Sequence, residues 1–272
     1  MQTTGNDIDI NVGDVTICYD DFGKGTVPIV FVHGFPFDKS SWQPQMEFFK
    51  ETHRVIAYDI RGFGKSTAGR EEVSIELFAD DLVKFMDDLE IDKAIVCGLS
   101  MGGYILLNAA SRYFKRFEAL ILCDTQCIAD SSEIKEKRYQ TISQIKAEGL
   151  TDFAEGFVNN IFCQDSLNTK KELMGKIKGI ILSTSPAAIL GTLNALAQRW
   201  QTCSSLNEIL VPTLILCGKE DKVTPFIQSE FLLKNITGSI LHSIDKAGHL
   251  SNLEQPDEFN QHLSDFISGL AK

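Results

Sequence analysis

No stretch of the 272-residue chain approaches the roughly eighteen consecutive apolar residues that a membrane-spanning helix needs. Positive charge is also scarce, with 26 Lys and Arg against 37 Asp and Glu for a net charge of −11. Nucleic acid and anionic membrane surfaces both demand a basic footprint, so neither is expected as a partner. The first ten residues, MQTTGNDIDI, lack a basic segment and an apolar segment, and no signal peptide is expected. The seven cysteines (Cys18, Cys97, Cys123, Cys127, Cys163, Cys203 and Cys217) are scattered, and no two form a C-x-x-C pair. That pattern argues against a disulfide scaffold and against a zinc ribbon, and it predicts no metal site and a reducing, cytoplasmic setting. Repeats and low-complexity tracts are missing as well.

What remains is ordinary globular composition, 43% hydrophobic and 23% charged, in a chain long enough to bury a large core without staples. Five short runs are continuously apolar: PIVFV (28–32), RVIAY (54–58), AIVC (94–97), ALILC (119–123) and TLILC (213–217). Continuous rather than alternating apolarity is the mark of strands buried on both faces of a parallel sheet. Cys97, Cys123 and Cys217 close three of these runs, where a thiol acts as a small buried hydrophobe. Residues 8–22 read as a hairpin about Val12-Gly13-Asp14. After Ser74, a candidate N-cap, Ile75, Phe78, Leu82, Phe85, Met86 and Leu89 recur on one helical face. Residues 100–114 and 256–270 also read as helices. Strand–helix alternation of this kind builds an α/β fold with helices on both faces of a parallel sheet.

The alternation breaks between residues 126 and 203, which carry helical patterns at 132–148, 151–162, 169–182 and 186–200 and no convincing strand. The expected organisation is a core from residues 1–125 and 204–272 with a helical cap, 126–203, inserted after the sixth strand.

Gly98-Leu99-Ser100-Met101-Gly102 fits G-x-S-x-G. The pattern is short, and its meaning comes from its place between the AIVC strand and a helix. At a sharp strand-to-helix turn the serine hydroxyl projects above the sheet, and the flanking glycines let strand and helix cross closely. A serine hydroxyl is a weak nucleophile that needs a base, which an acid must orient. His249, in the loop Lys246-Ala247-Gly248-His249-Leu250, is the candidate base. His242 falls in a strand-like run and His262 in the last helix, positions with structural readings. For the acid, Asp221 in Cys217-Gly218-Lys219-Glu220-Asp221 follows the TLILC strand, with Asp124 and Glu220 as alternatives. The oxyanion donors expected are the backbone N–H groups of Met101 and of Phe35, in His33-Gly34-Phe35-Pro36. His33 reads as a residue that holds this loop, and His53 as a surface residue.

These motifs, with Asp59-Ile60-Arg61-Gly62-Phe63-Gly64-Lys65-Ser66 and Gly103, resemble the α/β-hydrolase superfamily. Within it the chain resembles the esterase and lactonase branch related to 3-oxoadipate enol-lactonases and bacterial non-haem perhydrolases. The resemblance implies a mostly parallel eight-stranded sheet, a helical cap, no cofactor, and a structural role for the 59–66 motif. It implies a carboxylic ester hydrolase of the carboxylesterase or lactonase type acting on a small-molecule ester or lactone, as a monomer or homodimer. Alternatives with the same triad are a carbon–carbon bond hydrolase, a perhydrolase, or a ligand-sensing protein with slow turnover. Enol-lactonase relatives read a dicarboxylate with a cap Arg-Trp pair, whereas the comparable stretch here, Val158-Asn159-Asn160-Ile161-Phe162, has neither residue. Arg138 and Arg199 are read as solvated helix residues, with a cap cation for a substrate carboxylate as the alternative role of either. The cap aromatics Phe153, Phe157, Phe162 and Trp200 are candidates for lining a substrate pocket.

Overall fold

A computed structural model describes residues 4–270, so the extreme ends of the expected core ranges, 1–3 and 271–272, lie outside the described residues. The hairpin forms as read: β1 (Gly5–Val12) and β2 (Val15–Phe22) pair antiparallel across a turn in which Gly13 has φ +61°. Positive φ there suits a residue without a side chain. The five apolar runs become β3 (Ile29–Val32), β4 (Val55–Tyr58), β5 (Ala94–Leu99), β6 (Phe117–Cys123) and β7 (Thr213–Gly218), and β8 (Ile240–Ile244) closes the sheet. β3, β4, β5 and β7 are buried at every position, as strands covered on both faces must be.

The strand order is β1-β2-β4-β3-β5-β6-β7-β8, antiparallel at β1–β2 and β2–β4 and parallel elsewhere. From β3 the chain steps outward to β4 and then returns past β3 to β5. The order therefore reverses between β3 and β5, and open α/β sheets bind ligands outside the carboxyl ends of such strands. Those ends carry the Gly34-Phe35 loop and Ser100.

Helices α1 (Gln43–Phe49), α2 (Ile75–Asp88) and α3 (Met101–Tyr113) follow β3, β4 and β5 in turn. Ser74 caps α2 by accepting the Leu77 N–H, and the face read from sequence, Ile75, Phe78, Leu82, Phe85 and Met86, is buried. The segment between β6 and β7 contains helices α4 (Ser132–Glu148), α5 (Thr151–Ile161), α6 (Gln164–Thr169), α7 (Lys171–Ser183) and α8 (Pro186–Gln198). The helix expected over 169–182 forms as α7, and α6 is a short additional helix before it that was not expected. The two break at Lys170 (φ −109°, ψ 47°), and Cys163 caps α6 by accepting the Ser166 N–H on its sulfur. Helices α9 (Phe226–Asn235), α10 (Ser251–Glu254) and α11 (Pro256–Leu270) complete the chain. Among the described residues no single helix is long and apolar enough to cross a membrane.

One pairing of cysteines is not foreshadowed by their spacing. Cys127 and Cys203 are bonded, 76 residues apart in sequence, while Cys18, Cys97, Cys123, Cys163 and Cys217 are free and buried. The helical insertion leaves and re-enters the sheet at neighbouring strands, which brings its two ends together. Thr202 N–H donates to the Cys127 carbonyl (2.9 Å) beside the bond.

Candidate active site

Ser100 stands between β5 and α3 with φ 53° and ψ −112°, a conformation that costs a non-glycine residue about 1–3 kcal/mol. The surroundings hold it there. Its N–H donates to the Cys123 carbonyl (2.8 Å), and its carbonyl accepts the Thr125 hydroxyl (2.8 Å). A Cβ at Gly98 would come within 2.6 Å of Gly102 backbone, and one at Gly102 within 2.3 Å of the Val32 carbonyl oxygen. Only bare backbone lets strand and helix cross this closely, which accounts for both glycines of the motif.

His249 enters from the loop after β8. Its Nε2 lies 2.8 Å from Ser100 Oγ and its Nδ1 2.8 Å from Asp221 Oδ2. An ionised carboxylate can only accept, so Nδ1 carries the proton and Nε2 is left to accept from Ser100. Asp221 is fixed by the N–H groups of Val223 (2.8 Å) and Thr224 (3.1 Å) on Oδ1 and by the Thr224 hydroxyl (2.7 Å) on Oδ2. Burial acts to raise the Asp221 carboxyl, but the His249 charge and these hydrogen bonds outweigh it and hold the group below its ordinary range. For His249 burial acts downward, and the charge and hydrogen bond of Asp221 carry the imidazole above its ordinary value. Thr224 was not singled out from sequence. Its position three residues after an acidic residue, suited to side-chain-to-backbone turn bonding, was the available signal.

The two alternative acids lie elsewhere. Asp124, at the end of β6, accepts the Gly218 N–H (2.8 Å) and a short hydrogen bond from the Ser251 hydroxyl, and makes no hydrogen bond to His249. Burial, then the Asp221 charge, push its carboxyl well above the ordinary range. Glu220 is exposed and reaches only towards the Gln164 N–H (3.4 Å). Asp124, Cys217 and Asp221 place possible ligand atoms within 4.8 Å of one another. Both carboxylates already accept from protein donors, and burial raises the Cys217 thiol far from ionisation.

The Gly34-Phe35 loop abuts the serine, since a Cβ on Gly34 would lie 3.2 Å from Ser100 Cβ. Met101 is the first residue of α3, so its N–H has no intrahelical acceptor. His33 is fully buried and bridges two loops: Nδ1 donates to the Gly34 carbonyl (2.9 Å) and Nε2 accepts the Ile60 N–H (3.0 Å). Both ring nitrogens are thereby used in the neutral form, and burial lowers the group to about 4. In the 59–66 motif, Asp59 accepts the N–H groups of Lys39 (2.8 Å) and Lys65 (2.9 Å), and the Ser66 hydroxyl donates to the Asp59 carbonyl (2.7 Å). A Cβ at Gly64 would overlap the Asp59 carboxylate at 2.2 Å. This motif ties loops together and supplies no group to Ser100.

Two of the cap aromatics meet the site directly. Phe153 and Phe157 of α5 lie with ring centroids 6.3 and 6.2 Å from Phe35, and 5.6 Å from each other. Phe162 is fully buried, with its backbone against Gly248 beside the histidine. Trp200 does not join them: it is 81% exposed. Helix α8 ends at Gln198, and Arg199 is extended (φ −56°, ψ 143°) with its side chain turned inward, leaving Trp200 outward. Arg199 is therefore not the solvated residue expected. It is buried, donates to Asp130 (2.7 Å) and the Ile128 carbonyl (3.0 Å), and stacks over Tyr104 at 4.4 Å. Arg138 also donates to Asp130, so one carboxylate engages both guanidinium groups.

Residues 27–256 match the family model described as the alpha/beta hydrolase fold. The chain is 29% identical over 248 residues to 3-oxoadipate enol-lactonase 2 of Acinetobacter baylyi, covering 91% of each protein. It superposes on a thermophilic esterase from Thermogutta terrifontis with a TM-score of 0.92 and 32% identity, over 97% of this chain and 99% of the esterase. On the enol-lactonase from Burkholderia xenovorans the TM-score is 0.89 at 27% identity, over 96% of this chain and all of the lactonase's. With a Ser–His–Asp relay at the carboxyl edge of a sheet of this topology, the chain belongs to the α/β-hydrolase family.

Proposed function

We propose that the protein hydrolyses small carboxylic esters or lactones through an acyl-enzyme on Ser100. The observation that carries the reading is the unbroken relay from Asp221 through His249 to Ser100, with 2.8 Å at each link. Ser100 Oγ attacks the ester carbonyl while His249 Nε2 takes its proton, and the carbonyl oxygen becomes an oxyanion facing the Phe35 and Met101 N–H groups. The C–O bond to the alcohol then breaks, and His249 returns the proton to the leaving oxygen. Water repeats the sequence on the acyl-enzyme, freeing the acid and Ser100. Asp221 holds the Nδ1–H tautomer and stabilises the imidazolium formed at each step.

The rings of Phe153 and Phe157 lie against Phe35, and Arg138 and Arg199 are both engaged by Asp130. Neither has its charge free for a second carboxylate. The reading therefore favours esters and lactones without an added anionic group. The cytoplasm is part of the proposal, and there Cys127 and Cys203 would be held as thiols. Alkylation of free thiols in intact cells before lysis tests that point.

The chemistry is tested with p-nitrophenyl acetate and butyrate, wild type beside Ser100→Ala. Sustained p-nitrophenol release by the wild type, lost on the order of 10⁴-fold or more in a folded Ser100→Ala protein, is expected. Equal rates in the two proteins overturn the serine mechanism. A single-equivalent burst without turnover overturns the hydrolase reading in favour of ligand sensing.

A further inference from the structure

Glu254, the last residue of α10, is fully buried and takes no part in the chemistry above. Its two carboxylate oxygens divide between two segments. Oε1 accepts the N–H of Gly248 (2.8 Å) and, at longer range, that of Leu250 (3.4 Å), the residues on either side of His249. Oε2 accepts the N–H of Cys163 (2.9 Å), where α5 gives way to α6 in the helical insertion. The two segments also meet directly, because His249 N–H donates to the Ile161 carbonyl at 2.7 Å. A Cβ on Gly248 would fall 2.6 Å from the Ile161 carbonyl oxygen and 2.7 Å from the Cys163 nitrogen, so this contact requires glycine. The Lys170 ammonium, at the break between α6 and α7, donates to the Glu254 carbonyl oxygen.

From this geometry we infer that Glu254 is a positioning residue: it latches the helical insertion to the histidine loop, so that the placement of residues 161–163 and the aim of His249 at Ser100 are set together. The inference rests on the proposed hydrolase reading for its kinetic consequence, though not for its structural one. Burying a carboxylate is costly unless its oxygens are matched by donors, and here each oxygen is matched by a different segment. Displacement of either segment leaves one oxygen unsatisfied, so the two move as a unit. The arrangement gives a substrate that shifts α5, which carries Phe153 and Phe157, a mechanical route to the base.

Glu254→Gln tests the latch with nearly the same shape. An amide has one oxygen and one NH2 group. Whichever way it is turned, one of the two segments faces a donor where it had an acceptor. The full chain is measured in two ways. By amide hydrogen exchange, the expected result is that residues 161–163 and 248–250 both exchange about tenfold faster than in the wild type, with β3 to β7 unchanged. By kinetics on p-nitrophenyl acetate, kcat should fall about ten- to a hundredfold with KM little altered, as expected when a base is misplaced rather than binding lost. Unchanged exchange in both segments, or loss confined to one, overturns the latch. Faster exchange in both with kcat unchanged overturns the positioning role. If the wild type turns over no ester, the hydrolase reading fails, while hydrogen exchange still decides the latch. Should Glu254→Gln not fold, Glu254→Asp keeps the carboxylate but is one methylene too short to reach both segments. It is expected to loosen both segments in the same sense, and unchanged exchange there overturns the proposal.

Discussion

Asp221 and Asp124 end neighbouring segments of the sheet edge, yet only Asp221 bonds the histidine. Asp221 Oδ2 lies 2.8 Å from His249 Nδ1, whereas the Asp124 oxygens accept from Gly218 and Ser251. Their environments drive them apart, with Asp221 held below and Asp124 well above the ordinary carboxylate range. In Asp124→Asn the amide oxygen can still accept from the Gly218 N–H, and the NH2 group can donate to the Ser251 hydroxyl oxygen.

The contrast gives the first prediction. Asp221→Asn should lower kcat by about 10⁴-fold, because the amide no longer holds the Nδ1–H tautomer or supports the imidazolium. Asp124→Asn should leave kcat close to wild type. Steady-state rates of both folded variants on p-nitrophenyl acetate check this, and the reverse pattern would transfer the acid's role to Asp124.

The second prediction concerns pH. His249 must be neutral to act as base, so kcat/KM is low on the acid side and rises to a plateau. The Asp221 carboxylate, with lesser contributions from Asp124 and Glu254, raises the imidazole against the effect of burial. The midpoint of the acid limb should therefore lie above the ordinary histidine value of about 6.5. Asp221→Asn removes the largest upward influence and should move what activity remains to a lower midpoint. A wild-type midpoint at or below the ordinary value would contradict the electrostatic account.

Much of this site is legible in the sequence because its signals are local. The turn at Ser100 is announced by glycines whose absent side chains the crossing requires, and β3 to β7 by runs too apolar to face water. His249 stands out because the other C-terminal histidines fall in regular elements. What is not legible depends on how distant segments meet. Cys127 and Cys203 carry no pairing signal until the insertion's ends are adjacent. Arg199 and Trp200 exchange their expected places because α8 stops two residues early and Asp130, some seventy residues away, draws the guanidinium inward. Glu254 looks like one more helix residue, and its function follows from Cys163, 91 positions before it in the chain.

The Cys127–Cys203 bond supplies a third prediction, about stability. Joining residues 76 apart removes loop-closure entropy from the unfolded chain, at most about 4.5 kcal/mol for a loop of this length. A chain of this size shifts in Tm by about 2–4 °C per kcal/mol. Reduction, or the Cys127→Ser/Cys203→Ser double variant, should thus lower Tm by several degrees. The five remaining thiols are buried and free, so reducing the wild type and removing the pair should give the same Tm. A Tm unaffected by either treatment would mean that the bond adds nothing to the fold.

Phe157 allows a sharper test of the acyl side. Its ring stands edge-on to Phe35 at 85° and lies 6.1 Å from Phe37, so α5 lays an aromatic surface on the loop whose Phe35 N–H is the proposed oxyanion donor. Half-buried rings on a helix face are commonly packing alone, and stability cannot separate that role from substrate contact, because Phe157→Ala should lower Tm in either case. Selectivity can. If the ring bounds the acyl space, its removal opens room for longer chains, and each added methylene is worth about 1–3 kcal/mol in such a pocket. The ratio of kcat/KM for p-nitrophenyl hexanoate over acetate should then rise about tenfold or more in Phe157→Ala. A lowered Tm with an unchanged ratio would assign the ring to packing and place the acyl group elsewhere.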